Sequence, residues 1–594
     1  MSPQSLKRMP WWSVRLLPGI AQSRYALNRS YLMSLRSESL LQSFRMEAGL
    51  WQPARKPAEC HWGWESPTCQ VRGHFLGHWL SAAARSWAGN ADAELKAKAD
   101  AIVSELALCQ RENGGEWAGS IPAKYLDWVA RKKQVWAPHY TLHKTLMGLL
   151  EMHTLAGSAE ALDVLAAWAR WFHRWTGRFA RAEMDDILDV ETGGMLEVWA
   201  DLFAVTGVPE HRELMERYDR PRLFDKLRAG EDVLTNRHAN TTVPEVHGAA
   251  RAWEVTGESR WREIVEAYWR AAVTDRGAFC TGGQTSGEFW TPKGKLAARL
   301  SATNQEHCVV YNMMRLAEYL LRWTGEAAYA DYWERNLYNG IFAQQHPQTG
   351  QVAYFLPLQA GARKVWGHPT EDFWCCHGTL VQAHPTHASA VFYESSEGLA
   401  VCQYLSSSLT WSWEGTPVRV SLRVDPQTQA ETRPAAEVVE IELETEAPAD
   451  FLVALRIPWW VRAQPSLSVD GVVAPETPAG DGFLRVRRRW SRSTLRLHLP
   501  RGLAASPLHD APETVAFLDG PQVLAGLCDD ELSLRGDRSR PETMLVPDNE
   551  REFDTWHASY RTAGQAAGFR LVPLHEITDE RYTVYFPVSS GEGR

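Results

Sequence analysis

Four residues from two stretches of the chain have types that suit metal chemistry. Glu306 and Cys308 lie in Thr303-Asn304-Gln305-Glu306-His307-Cys308, and adjacent Cys375 and Cys376 lie in Phe373-Trp374-Cys375-Cys376-His377-Gly378-Thr379. Thiolates beside a carboxylate are the donor set of a tetrahedral zinc site, although Glu-x-Cys with a distant Cys-Cys is not a common finger spacing. Residues two apart on an α-helix point to different sides, so Glu306 and Cys308 can share one ion only at a helix entrance or in extended chain. The sequence offers an entrance. From His307 to Trp323 apolar residues recur at helical spacing (Val310, Met313, Met314, Ala317, Leu320, Leu321), and Thr303 stands three residues before Glu306 as in a capping box. Each residue also has a plainer reading, Glu306 as a helix cap and the cysteines as small buried hydrophobes. As a set they favour the metal. A further carboxylate, Glu288, follows the glycine-bearing segment Gly282 to Gly287 and precedes Phe289-Trp290.

At 594 residues the chain is too long for one core, so a large domain with one or two smaller ones is expected. The net charge of -9 is spread along the chain, and the basic runs Arg131-Lys132-Lys133 and Arg487-Arg488-Arg489 are short, which argues against a nucleic-acid partner. The first thirty residues hold Lys7, Arg8 and Arg15 but no apolar h-region with a cleavage site, and no apolar stretch reaches membrane-spanning length. A cytoplasmic protein without a membrane partner is therefore expected. Nine cysteines, an odd number in so long a chain, do not make a disulfide framework, and a reducing compartment would keep Cys308, Cys375 and Cys376 as thiols. The 28 tryptophans suit both a core and the C–H faces of sugar rings.

The elements that must position these groups are helical at first. Residues 24–45 carry an apolar stripe and predict one helix, followed by the loop His61-Trp62-Gly63-Trp64-Glu65-Ser66. Gly89, Gly157, Gly207, Gly257 and Gly325 each close an apolar helical run, at intervals of 68, 50, 50 and 68 residues. Units of that size hold a helical hairpin and a loop, and with the N-terminal helix and the run from Thr379 to Phe392 the count nears twelve helices. The fold expected is α + β multidomain: an (α/α)6 barrel over residues 1–393, a β-sandwich over 394–500 and a second small β-sandwich over 501–594. Short alternating runs from Leu399 onward, such as Val418 to Val424 and Phe451 to Ile457, carry the change to strands. The barrel mouth would be lined by Gly73 to His78, Trp136 to Lys144, Glu191 to Met195, His238 to Glu245 and Gly282 to Glu288.

Motifs fall in order across nearly the whole chain. They are Trp136-Ala137-Pro138-His139-Tyr140-Thr141-Leu142-His143-Lys144, Gly193-Gly194-Met195, His238-Ala239-Asn240-Thr241, Gly287-Glu288, Glu306-x-Cys308 and Tyr332-Trp333-Glu334-Arg335-Asn336-Leu337-Tyr338-Asn339. Tyr354-Phe355-Leu356-Pro357-Leu358, Phe373-Trp374-Cys375-Cys376-x-Gly378 and Glu580-Arg581-Tyr582-Thr583-Val584-Tyr585-Phe586 complete the series. In these the sequence resembles glycoside hydrolase family 127, the β-L-arabinofuranosidases, which are zinc-dependent retaining exo-glycosidases with a cysteine nucleophile. The resemblance implies Cys375 as nucleophile and Glu288 as general acid and base, with zinc held by Glu306, Cys308, Cys375 and Cys376. It places the sugar contacts on His143, His238, Glu334 and Tyr354. Thr192 stands where a histidine is expected before Gly193-Gly194-Met195, so it counts among the sugar-facing positions and leaves the exact sugar open. The implied reaction releases a non-reducing terminal β-L-arabinofuranose from a small carbohydrate or glycoside, and a homodimer is compatible with it. Two other classes stay open: an α/α-barrel enzyme acting on another pentose or a uronic-type sugar, and a non-catalytic carbohydrate-binding protein with a structural zinc.

Overall fold

The computed structural model describes residues 5–52, 56, 59–190, 192–424, 433–548 and 558–589; Glu191, counted above with the mouth, lies outside them. Helices dominate up to Ala390 and strands follow. Six helices form the inner wall of a ring: His74–Asn90, Pro138–Thr154, Met195–Thr206, Ala239–Thr256, His307–Thr324 and Cys375–Ala383. Each packs on the next and the sixth on the first, which closes the ring. Outer helices, among them Ala93–Glu112, Ala159–Thr176, Ser259–Trp269 and Ala327–Asn336, run back between them, so the inner six are parallel and their N-termini gather at one mouth. Trp79, Trp168 and Trp199 are fully buried in this core and serve packing.

The inner-to-outer turn repeats one local device. Gly207, Gly257 and Gly325 take the left-handed conformation (φ 67°, 73° and 75°), each amide returns to the carbonyl four residues back, and the next residue stands at the N-cap position of the following helix without a side-chain cap. Gly157 (φ 72°) likewise precedes Ser158, whose hydroxyl caps the next helix. Gly89 departs from expectation: the helix runs through it to Asn90, and the left-handed residue is Ala91 (φ 54°). The turn must sit just before the next N-cap, which here is Asp92, accepting from Leu95 N–H. The single helix expected over 24–45 is also broken. Ile20–Ser34 ends where Leu35 and Arg36 become extended, which turns buried Leu35, Leu40 and Phe44 into the core through the short helices Ser37–Leu40 and Gln42–Glu47.

Ten strands form the next sheet, organised on two long antiparallel strands, Ala436–Arg456 and Phe483–Pro500. The first half of Ala436–Arg456 pairs antiparallel with Thr416–Val424, the second half parallel with Gly398–Val401. The N-terminal strands Lys7–Arg8 and Val14–Leu16 join this sheet, against Phe392–Ser395 and Ser407–Trp413. Arg456, fully buried, ties the sheet to the outer helix Ala327–Asn336 through Asp331 (2.5 Å) and Glu334 (2.8 Å). An eight-stranded sheet closes the chain. Its Leu518, Val523 and Tyr585, with Tyr582 and Val584 just before the last strand, cluster with Phe279, Cys280, Leu296, Leu356 and Leu358, so it backs the two segments that carry Glu288 and Tyr354. Among the described residues no helix is long and apolar enough to cross a membrane.

The first and second inner helices touch backbone to backbone at Gly77, where an added Cβ would lie 2.0 Å from the Lys144 carbonyl. Gly77→Ala is expected to cost about 3 kcal/mol, read as a lower urea midpoint; an unchanged midpoint would contradict that approach. Acid stability gives a second expectation. Nine buried histidines (His74, His78, His143, His247, His307, His377, His384, His387 and His575) are each held below the ordinary value by burial, His247 and His387 at about 3. Below the ordinary value of 6.5 the unfolded chain takes up protons that the folded chain refuses, so stability falls as pH drops. Seven carboxyl groups pushed up by burial, Glu65, Glu245 and Glu437 to about 7 and with them Glu306, Asp201, Asp219 and Asp331, act in the opposite sense but are fewer. Tm should therefore fall on acidification from neutrality through about pH 5.5, and a rising Tm would mean the carboxyl groups outweigh the histidines.

Candidate active site

Both halves of the cysteine cluster begin helices. Glu306 is the cap residue of the fifth inner helix and Cys308 its second residue; Cys375 and Cys376 are the first two residues of the sixth, which starts four residues before the expected Thr379. The capping box expected from Thr303 is not made: the Glu306 side chain caps nothing, and Thr303 Oγ1 lies 3.3 Å from Ser301 Oγ. The carboxylate turns to the cysteines instead, with Oε1 3.7 Å from Cys375 Sγ. Cys308 and Cys376 sulfurs are 3.5 Å apart, and those of Cys375 and Cys376 3.9 Å. A tetrahedral ion with Zn–S near 2.3 Å separates its ligand atoms by about 3.8 Å, so the set fits. The other carboxylate oxygen, Glu306 Oε2, is buried without a hydrogen-bond partner, which suits a bond to a cation.

Within the cluster the neighbours favour ionisation of Cys375 over that of Cys308 and Cys376. Burial opposes it, but the S–H groups of Cys308 and Cys376 and the Tyr354 hydroxyl favour it, so the Cys375 thiol is held well below its ordinary value. Burial first, then the neighbouring Cys375 charge, pushes Glu306 well up; burial likewise pushes Cys308 and Cys376 up. A divalent cation would replace those protons.

The turns that aim these groups are strained. Gln305 (φ 51°) precedes Glu306, and Phe373 (φ 50°) precedes the Trp374-Cys375 step. The Phe373 carbonyl accepts from His74 Nε2 (2.8 Å), and His74 Nδ1 lies 3.0 Å from the Tyr140 hydroxyl. Gln305 Nε2 donates to the Asn339 carbonyl (3.0 Å). Glu288 occupies the two-residue turn of the hairpin Thr285–Ser286/Phe289–Trp290, where Gly287 (φ 58°) and Glu288 (φ 69°) are both left-handed. Such turns favour Gly or Asn at both places, so a glutamate there costs on the order of 1 kcal/mol. Its carboxylate accepts from the Tyr354 hydroxyl at Oε1 and faces His238 Nε2 at 3.3 Å from Oε2. His238 Nδ1 accepts from Thr241 N–H (3.3 Å), which leaves the ring proton on Nε2, toward Glu288. The Tyr354 hydroxyl is also 3.6 Å from Cys375 Sγ, and so stands between the carboxylate and the sulfur. Trp64, Tyr140, Tyr354 and Trp374 pack on the cysteines, while Trp136 (48% exposed) and Phe289 (44%) face solvent.

Residues 13–389 match the family described as Beta-L-arabinofuranosidase, GH127 catalytic domain, and residues 398–501 match its GH127 middle domain. The chain belongs to glycoside hydrolase family 127. Membership makes it a glycoside hydrolase, and the fold agrees. A GH127 β-L-arabinofuranosidase from Geobacillus stearothermophilus T6 aligns over 97% of this chain and 100% of its own at 17% identity and a TM-score of 0.73. A second GH127 β-arabinofuranosidase aligns over 99% and 98% at 16% identity and 0.72. A third structure, named only as a glycoside hydrolase, covers 98% of both chains at 17% identity and 0.69. No curated protein matches.

In this family-127 chain the fold brings Glu288, His238, Tyr354, Glu306, Cys308, Cys375 and Cys376 together at the mouth. Among the described residues no hydrogen bond joins the other three positions to this cluster. The Thr192 hydroxyl is buried and donates to Glu245 Oε1 (3.0 Å), which Arg220 also engages. His143 lines a cavity of about 310 Å³ with Glu197, Arg315 and, further along its own helix, Met147 and Leu150. Glu334 is buried and accepts from Arg456 Nη2 (2.8 Å) and Trp460 Nε1 (3.1 Å) of the ten-stranded sheet. Sequence reasoning missed the supports His74, Tyr140 and Thr379; the first two do fall in segments flagged as mouth.

Glu334, expected at the sugar, is bonded across to the ten-stranded sheet through Arg456 and Trp460. Glu334→Gln should lower stability by about 2 kcal/mol by leaving Arg456 only one of its two carboxylates, Asp331, with KM unchanged within about twofold. Denaturation and steady-state kinetics check this; a raised KM at full stability would return Glu334 to the sugar.

Proposed function

We propose that the chain is a retaining exo-glycosidase that removes a non-reducing terminal β-L-arabinofuranose from a small glycoside, with Cys375 as nucleophile and Glu288 as acid and base. One observation carries this reading. Of the three clustered cysteines only Cys375 keeps exposure (5%, against 0% for Cys308 and Cys376), and a single hydroxyl, that of Tyr354, joins it to Glu288. In the first step Cys375 Sγ forms a bond to C1 as the C1–O bond breaks, and the Glu288 carboxyl gives its proton to the leaving oxygen. In the second, the Glu288 carboxylate takes a proton from a water whose oxygen bonds to C1, and the C–S electron pair returns to sulfur. Two inversions give retention. Tyr354, kept protonated by burial and by the surrounding anions, and His238 hold the two carboxylate oxygens in place throughout. Glu306, Cys308, Cys375 and Cys376 would hold zinc, which when bound keeps the sulfurs ionised at neutral pH. A purely structural metal would leave the strained, solvent-facing Glu288 without a purpose.

Glu288→Gln should cripple hydrolysis of an alkyl β-L-arabinofuranoside far more than glycosylation by an activated aryl one, which needs no proton. Mass spectrometry should then find one sugar added to the peptide bearing Cys375. Cys375→Ser should fold normally and lose about 1000-fold or more in kcat. A sugar adduct on a carboxylate, or full activity in Cys375→Ser, would overturn the assignment.

A further inference from the structure

Thr379 lies one turn along the sixth inner helix from Cys375, and its hydroxyl is shared among three groups. It is 3.2 Å from Cys308 Sγ, 2.9 Å from His307 Nδ1 and 3.4 Å from the Cys376 carbonyl. Thr379 is 3% exposed, and His307 and Cys308 are wholly buried, so water does not compete. His307 is itself fixed as the first residue of the fifth inner helix, its amide donating to the Tyr354 carbonyl (3.0 Å).

We propose that Thr379, oriented by His307, is a positioning residue that holds Cys308 as a permanent ligand thiolate and so leaves Cys375 as the sulfur free to react. The inference rests on the metal reading above and deepens it. A ligand thiolate can only accept, so the Thr379 proton must point at Cys308; the Thr379 oxygen must then accept, so His307 must donate from Nδ1. The thiolate thus sets the direction of the whole chain, N–H to O–H to S. Among the described residues no hydroxyl or N–H donor from outside the cysteine cluster reaches either sister sulfur at this range. Cys375 has only the Tyr354 hydroxyl at 3.6 Å, already committed to Glu288, and Cys376 lies 3.8 Å from the Tyr354 carbonyl, which cannot donate. A charge-assisted bond of this kind stabilises the anion it reaches and lowers its reactivity. Cys308 and Cys375 therefore differ in hydrogen bonding as well as in exposure.

The test uses the full chain and three variants. Thr379→Val keeps the shape and removes the hydroxyl, Thr379→Ser keeps the hydroxyl, and His307→Gln replaces the orienting ring. In competition with a chromophoric chelator, Thr379→Val should hold zinc at least about tenfold more weakly, and Thr379→Ser should return to within about twofold of the parent. In the cobalt(II)-loaded protein the sulfur-to-metal charge-transfer band should move to lower energy in Thr379→Val, be restored in Thr379→Ser, and move in the same direction in His307→Gln. The last variant decides the matter if Thr379→Val does not fold. A lower Tm with unchanged zinc affinity and an unchanged band would mean that Thr379 only packs, and would overturn the proposal while leaving the zinc reading intact. A parent protein that binds neither metal would overturn both.

Discussion

Everything at the mouth answers to one electrostatic constraint: four groups that become anions when they hold a cation are buried at a single point. Taking an anion out of water costs several kcal/mol unless something of opposite charge replaces the solvent. The ring of parallel helices supplies part of that replacement. Glu306 and Cys308 stand at the N-terminus of one inner helix, Cys375 and Cys376 at the N-terminus of its neighbour, and the partial positive charge of each N-terminus falls on them. The charges acting on Glu306 itself, those of Cys375 and Glu288, are both negative, so the remainder is left for an ion.

Closing four donors onto one point also needs backbone that ordinary turns do not give. Gln305, Phe373 and Glu288 are non-glycine residues in the left-handed region, each costing on the order of 1 kcal/mol or more. Each is held there by contacts from elsewhere: Asn339 for Gln305, His74 for Phe373, Tyr354 and His238 for Glu288. The strained residues carry or adjoin the groups proposed to act; of the supporting ones Asn339 and His74 are buried, and Tyr354 and His238 are half-buried. The β-regions enter in the same way, since the eight-stranded sheet packs behind the segments bearing Glu288 and Tyr354 and the ten-stranded sheet takes up Glu334 through Arg456.

The chemistry was more legible in the sequence than its supports were. Ligand types, the helix that begins at Glu306, the left-handed glycines and the change from helix to strand are local signals, written within a few residues of where they act. Local signals misled where two readings compete at short range. Thr303 and Glu306 have the spacing of a capping box, yet the carboxylate is drawn to Cys375, 69 residues away. Gly89 has the composition of a stop, yet the position of the turn is set by Asp92.

From the sequence alone came the candidate donor set Glu306, Cys308, Cys375 and Cys376, the helical ring and the sheets after it, because residue type and periodicity carry that information directly, whereas Glu288 stood out only through the family resemblance. Only the tertiary structure decided that Cys375 opens its helix, that Thr379 meets Cys308 and that the N-terminal strands pair with the ten-stranded sheet. It alone turned Glu334 to Arg456, 122 residues on, and the Thr192 hydroxyl to Glu245, 53 residues on. The reason is physical: a buried polar side chain takes whichever partner satisfies it once the elements have packed, and that partner is fixed by the crossing of distant helices and strands.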